Sequence, residues 1–277
     1  MFRKRPKAPF SGVIRCVTAS AIIRRNPDGS QVASLNALLS SLLGRGNSPE
    51  ALAALDETIN EIMASNPGPR ELAQLGVARA RAGKAMEAAT LFQRSLELEP
   101  DNAAVLTYLG MSFRDMNLLD AAEQKFAAAI EADPNHAAAY YHLGVLKESR
   151  RYYRDAIASY RRLNELMPTQ HETARRLAWL LATAPDPALR DGASAVDLAR
   201  GAMADPNARD YVKLDVLAAA HAAAEQYQEA SETAQRAYDA ALSDNNTSRA
   251  RQIQQRIRQY EAGQPMLLPR RARSEGP

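Results

Sequence analysis

The sequence predicts an all-α fold, a solenoid of stacked antiparallel helix pairs, and three observations carry that prediction. Pro100, Pro134 and Pro168 recur at an interval of 34 residues, as do Gly76, Gly110 and Gly144, and one period shared by two residue types marks a repeat architecture. The segments between these markers also match. Each has a large apolar residue (Leu72, Leu106, Tyr140), a leucine one helical turn later (Leu75, Leu109, Leu143) directly followed by the glycine, then a small residue (Ala88, Ala122, Ala156) and an aromatic (Phe92, Phe126, Tyr160) on a second helix. The composition agrees, with 46% hydrophobic residues, only 6% aromatic and abundant alanine, which supplies helices well and strand sandwiches poorly. Such a hydrophobic fraction over 277 residues excludes disorder throughout.

The elements are justified in chain order. Residues 1–31 form a basic tail, expected to be disordered. MFRKRPK followed by GVIRCVTASAII has features of a secretory or organellar targeting segment, but Arg15 interrupts the apolar stretch. A solvated tail or a misplaced start fits it better, so a cytoplasmic location is expected, with export or organelle targeting by residues 1–25 as the alternative. Residues 32–68 are a first repeat on the spacing of Leu35, Leu38, Leu42, Gly46, Ala51 and Leu55, with its proline displaced to Pro67. Residues 69–102, 103–136 and 137–170 are the three regular repeats. Residues 171–210 are a fifth repeat carrying Leu177, Ala178, Leu198 and Pro206, stretched by the insertion ATAPDPALRDGAS. Residues 211–243 complete six, through Leu214, Leu217, Ala218, Ala230, Ala234 and Ala237. A capping helix within 244–263 sets Ile253, Ile257 and Tyr260 on one face and arginines on the other, before Gly263 and Pro265 stop it. Residues 264–277 are a second basic tail, again expected to be disordered.

Small residues where two backbones approach, with large ones filling the gap beside them, define an antiparallel helix pair that leaves one face uncovered. The next repeat covers it. The three matched segments resemble the tetratricopeptide repeat, almost position for position over residues 69–168. That resemblance implies a right-handed solenoid whose first helices line a concave groove used to hold other proteins. The stretch LAWLLATAPDPALRDGASAVDLARGA and the chain after it, about residues 174–265, resemble a C-terminal region common to bacterial tetratricopeptide proteins, which implies a bacterial type and a completed end to the array.

The groove places that the resemblance implies are Thr107, Tyr108, Met111 and Arg114 in the third repeat, Tyr141, His142, Val145 and Glu148 in the fourth, and Glu172, Arg175, Arg176 and Trp179 in the fifth. Tyr, Trp and Arg combine large contact area with hydrogen bonding and often anchor interfaces. The cluster is therefore the expected partner site, for an extended or helical peptide with some acidic character. Packing is the competing role for Trp179, and a wedge between repeats for Tyr108 and Tyr141. Tyr152 and Tyr153 are expected to pack, and Arg150, Arg151 and Arg154 to form a solvated turn. The places that hold a chaperone carboxylate in clamp-type members read Ala73, Val77, Tyr108, Ala138 and His142, without the lysines and asparagines such a clamp uses.

No catalytic role is expected. His136, His142, His171 and His221 fall in different repeats, no HExxH or GxSxG occurs, and the glycines at 44 and 46 lack the lysine ending of a phosphate loop. Asp186 and Asp191 flank an exposed insertion and suit turn roles. No cofactor or metal is expected, and Cys16 alone makes neither a disulfide nor a thiolate cage. No run reaches the roughly 18 apolar residues of a membrane span.

The net charge of +3 conceals a pattern: residues 1–33 carry seven basic side chains against one acidic, net +6, residues 249–277 seven against two, net +5, and the middle is left at −8. The arginine-rich ends invite contact with nucleic acid or an acidic surface, but they lack interleaved aromatics and the acidic middle would repel phosphate. Nucleic acid is not an expected partner. The expected function is a non-enzymatic scaffold or adaptor binding a protein or peptide. The alternatives are a substrate-recruiting accessory of a separate enzyme such as a glycosyltransferase, tail-mediated contact with acidic surfaces, and self-association through the first repeat.

Overall fold

The computed structural model describes Gly44 and residues 48–271, and among these residues all regular structure is helical. The first-repeat positions Leu35, Leu38, Leu42 and Gly46, and the whole of the 1–31 tail, lie outside the described residues. The chain divides into two compact units at Pro100.

The first unit contains α1 (Pro49–Ala64), α2 (Pro69–Arg81) and α3 (Ala85–Leu98). Helix α2 begins where the sequence places its signals. Pro69 stands at the first helical position, and the Glu71 carboxylate reaches back to accept from the Gly68 N–H at 2.7 Å. Leu55, Ile59 and Ile62 of α1 meet Leu72, Leu75 and Ala78 of α2, with Leu91 of α3 closing the cluster. Arg79 is only 6% exposed and ion-paired to Asp56 and to Glu87 at 3.0 Å, so its buried charge is compensated from both neighbouring helices.

The second unit contains α4 (Ala103–Asp115), α5 (Leu119–Ala132), α6 (Ala137–Ser149), α7 (Tyr153–Leu166), α8 (His171–Thr183), α9 (Gly192–Ala202), α10 (Asp210–Ala223), α11 (Tyr227–Ser243) and α12 (Thr247–Glu261). They pair as the repeats predict, α4 with α5, α6 with α7, α8 with α9 and α10 with α11, and each second helix packs on the next first helix. Asn102, Asp191 and Asn246 cap α4, α9 and α12 through backbone N–H groups three residues on, at 3.0–3.1 Å.

The marker glycines do what the spacing implied. A Cβ on Gly76 would come within 2.5 Å of the Phe92 ring, and one on Gly110 within 2.6 Å of Phe126. The turns inside these pairs repeat too. Gly83, Asn117 and Arg151 all hold positive φ, at 75°, 60° and 61°, a left-handed conformation that glycine and asparagine adopt more readily than arginine.

The insertion in the fifth repeat forms a single 3₁₀ turn, Pro187–Leu189, after which Asp191 and Gly192 restart the helix. Gly192 sits against the end of α10, where a Cβ would meet the Ala223 backbone at 2.5 Å. This close approach lets the short α9 pack despite the lengthened loop.

The C-terminal segment differs from its sequence expectation as a free tail. Described as far as Arg271, it runs back without helical structure over the fourth and fifth repeats. The Leu268 N–H donates to the Thr183 carbonyl at 2.7 Å and its side chain joins the cluster of Tyr153, Leu177 and Leu181. Met266 packs against the neighbouring cluster of Tyr260 and Ile257. Leu268 and Met266 thus dock on apolar clusters while Leu267 stays exposed, which charge counting alone did not reveal.

Candidate functional site

The first helices α4, α6 and α8 carry the predicted groove residues, but not all of them face outward. Thr107 is 2% exposed and its hydroxyl donates to the Ala103 carbonyl one turn back at 2.8 Å, so it lines no surface. Met111 is half-buried against Phe126 and Leu146, and Val145 packs against the cluster around Tyr160. These three are packing residues. Tyr108 is 41% exposed and remains on the surface.

Arg114, Tyr141, His142, Glu148, Glu172 and Arg176 assemble into a connected polar row. Arg114 pairs with Asp115 at 3.0 Å and brings a guanidinium nitrogen to 3.5 Å from His142 Nδ1. The His142 ring stacks on Phe126 at 5.7 Å and meets Tyr141 edge-on at 5.3 Å. Burial, reinforced by the Arg114 charge, depresses its pKa to about 4, so the ring is neutral near pH 7.

Tyr141 bridges to the next repeat, its hydroxyl donating to Glu172 Oε1 at 2.9 Å. Arg176 donates to the same oxygen at 3.0 Å and to Glu148 Oε2 at 3.2 Å, which also accepts from the Tyr160 hydroxyl at 2.7 Å. Burial alone would lower the Arg176 pKa, but Tyr160, Glu148 and Glu172 outweigh it and hold the guanidinium above its ordinary value. Burial and then Glu148 push the Tyr160 hydroxyl up, and burial and then Glu172 do the same for Tyr141. Arg175, one residue from this network, has a buried Nε without a hydrogen-bond partner.

One turn further along α8, Trp179 is partly buried against Leu177 and Leu181 and also receives the Arg256 guanidinium 5.1 Å from its ring centre. Packing and presentation coexist at this residue. Arg256 belongs to α12, and with Arg249 at 2.7 Å it engages Oδ2 of Asp215, which is completely buried in α10. Asp215 Oδ1 and the Tyr260 hydroxyl are both buried without partners.

Sequence reasoning did not find Asp215, Arg249, Arg256 or the Tyr160 hydroxyl. A signal existed, because Asp215 interrupts the apolar LDVLAAA run and Arg249 and Arg256 stand two helical turns apart on one face. The cap helix thus uses its arginines in two ways: Arg251 and Arg258 are exposed as expected, whereas Arg249 and Arg256 turn inward to the carboxylate. The four histidines are not gathered into one site, although His136 lies near enough to His142 to add to the lowering of its pKa. His142 is in the row, and His221 Nδ1 lies 2.6 Å from Gln226 Oε1 at the end of α10. Among the described residues no group of three or more metal-ligating side chains occurs, and no helix is long and apolar enough to cross a membrane.

Comparison with known proteins places this geometry in context. Residues 74–136 and 109–171 match the family model described as tetratricopeptide repeat. The protein O-mannosyl-transferase TMTC1 of Mus musculus is 33% identical over 102 residues, 35% of this chain, and the chain spans about a tenth of that protein's length. Among solved structures, PilF of Pseudomonas aeruginosa superposes with a TM-score of 0.62 at 16% identity, covering 81% of this chain and 96% of PilF. YrrB, titled a tetratricopeptide protein with an unusual peptide-binding site, gives 0.58 at 15% identity, covering 70% and 97%. These likenesses show the fold.

Proposed function

We propose that this chain, which carries tetratricopeptide repeats over residues 74–171, is a binding scaffold that holds a partner protein or peptide along α4, α6 and α8. The observation that carries the reading is the side-chain row itself. The exposed Tyr108 on α4, the His142–Tyr141–Glu172–Arg176–Glu148 network on α6 and α8, and Trp179 on α8 with Arg256 of α12 over its ring lie on successive first helices of the second unit. Fixed aromatic faces beside charged groups are what interface anchors require, because little side-chain entropy is left to lose on binding. Glu148 and Glu172 are already paired with Arg176 from within, whereas the partly exposed Arg175 makes no ion pair among the described residues. A ligand segment with acidic character suits that imbalance.

The test is affinity capture with the full chain followed by titration of the captured partner. The variant Tyr108→Ala, Arg175→Ala is expected to weaken binding by about tenfold or more with helix content unchanged. Unchanged affinity in that folded variant overturns the reading.

A second reading rests on the mouse O-mannosyl-transferase match, which falls on a tenth of that protein. Here the array recruits substrate for a sugar-transferring enzyme on a separate chain. Co-purification of a glycosyltransferase, with acceptor modification lost in the same double variant, is its expected signature.

A further inference from the structure

The returning C-terminal segment builds a second site, apart from the row on α4, α6 and α8. Its course is pinned at successive points. Tyr153 donates its hydroxyl to the Pro269 carbonyl at 3.1 Å, Arg151 donates to the Arg270 carbonyl at 3.2 Å, and the Arg271 guanidinium lies 3.9 Å from the centre of the Tyr152 ring. These contacts bring Arg270 and Arg271 to the turn before α7, beside Arg151 and Arg154, and across from Pro185–Pro187 of the insertion. Together they enclose an open cavity of about 570 Å³, within the usual size range of small-molecule sites.

The charge of this cavity is out of balance. Four arginines line it against Asp155 and Asp186. Both carboxylates are engaged: Asp155 pairs with Lys147 at 3.4 Å, and Asp186 accepts from the Ala188 N–H at 3.0 Å and lies 3.5 Å from Arg154. Among the described residues, Arg151, Arg270 and Arg271 have no carboxylate partner within ion-pair distance. Holding such guanidiniums together costs free energy that a compact anion would recover, and the N-terminus of α7, whose capping residue Tyr152 makes no side-chain cap hydrogen bond, adds the positive end of the helix dipole to the same wall. A single carboxylate neutralises one of them, whereas a phosphate group brings two charges and oxygens that match the guanidinium fork.

We propose that this cavity, formed by the α6–α7 turn, the 185–189 insertion and the returning segment, binds a small molecule bearing a phosphomonoester or diphosphate. The proposal goes beyond the scaffold reading and is independent of it.

The test is calorimetric titration of the full chain at low ionic strength with inorganic pyrophosphate, with citrate as a carboxylate of comparable charge. Two double variants are compared, Arg270→Gln with Arg271→Gln in the cavity, and Arg251→Gln with Arg258→Gln on the exposed face of α12. Each removes the same charge from solvent-exposed positions. Pyrophosphate binding that falls by about tenfold or more in the cavity variant and persists in the α12 variant is the expected result. Equal loss in both variants would show diffuse charge attraction and overturn the site. So would no pyrophosphate binding to the wild-type chain. Citrate binding as tightly as pyrophosphate overturns the phosphate assignment, and a phosphoserine peptide that binds where pyrophosphate does not assigns the site to a protein partner instead.

Discussion

Gly144 lies beneath the Tyr160 ring so closely that a Cβ there would stand 2.6 Å from Cε1. The same ring ends in a hydroxyl bound to Glu148, one turn further along the helix that carries Gly144. The ring is therefore held at both ends and cannot slide away. Gly144→Ala is expected to destabilise the second unit by about 1–3 kcal/mol, the usual cost of overpacking a fixed core. Denaturant unfolding measures it, and a variant as stable as the wild type would show that α6 and α7 can separate freely.

Asp215 is a fully buried carboxylate shared by two arginines of the cap helix. Asp215→Asn keeps the shape and removes the charge, leaving Arg249 and Arg256 without a counter-ion. A loss of about 3 kcal/mol is expected, as for other buried pairs broken on one side. Hydrogen exchange should show the loss first in α12, and protection unchanged in Thr247–Glu261 would contradict this account.

His142 titrates far below an ordinary imidazole, near 4 against about 6.5 unfolded. The unfolded chain therefore binds this proton more readily. The contribution of the neutral ring to stability is complete above pH 6.5 and is lost progressively as pH falls from 6.5 to about 4. An NMR titration of the ring resonance is expected to give a midpoint near 4. The stability difference between wild type and His142→Phe should change across that window and be flat above it.

Deleting residues 264–277 removes Leu268 from its apolar site, along with the hydrogen bonds at Thr183 and Tyr153. A stability loss of about 1–3 kcal/mol is expected from the buried leucine and lost hydrogen bonds. A disordered tail would give none, and thermal unfolding of the truncated chain separates the two outcomes.

Much of the fold was legible because repetition multiplies a weak local signal. One glycine after a leucine means little, but Gly76, Gly110 and Gly144 at one spacing, each matched by an aromatic sixteen residues on, specify a helix pair. The positions of the candidate site's residues were legible only in part. Tyr108, Tyr141, Arg176 and Trp179 stand where the repeat register puts them, while Thr107 turned inward because its hydroxyl found the Ala103 carbonyl, a choice that register does not encode.

Local spacing alone determined that the regular structure of the described residues is helical and how those helices pair, because both arise from contacts within one period of 34 residues. Tertiary structure decided the rest. The union of Asp215 with Arg249 and Arg256 of the cap helix, the bridge through Glu172 from Tyr141 to Arg176 of the next repeat and the return of Pro269 to Tyr153 join residues far apart in sequence. No periodicity specifies such partners, since a buried charge or an apolar tail residue takes whatever complement the assembled surface presents.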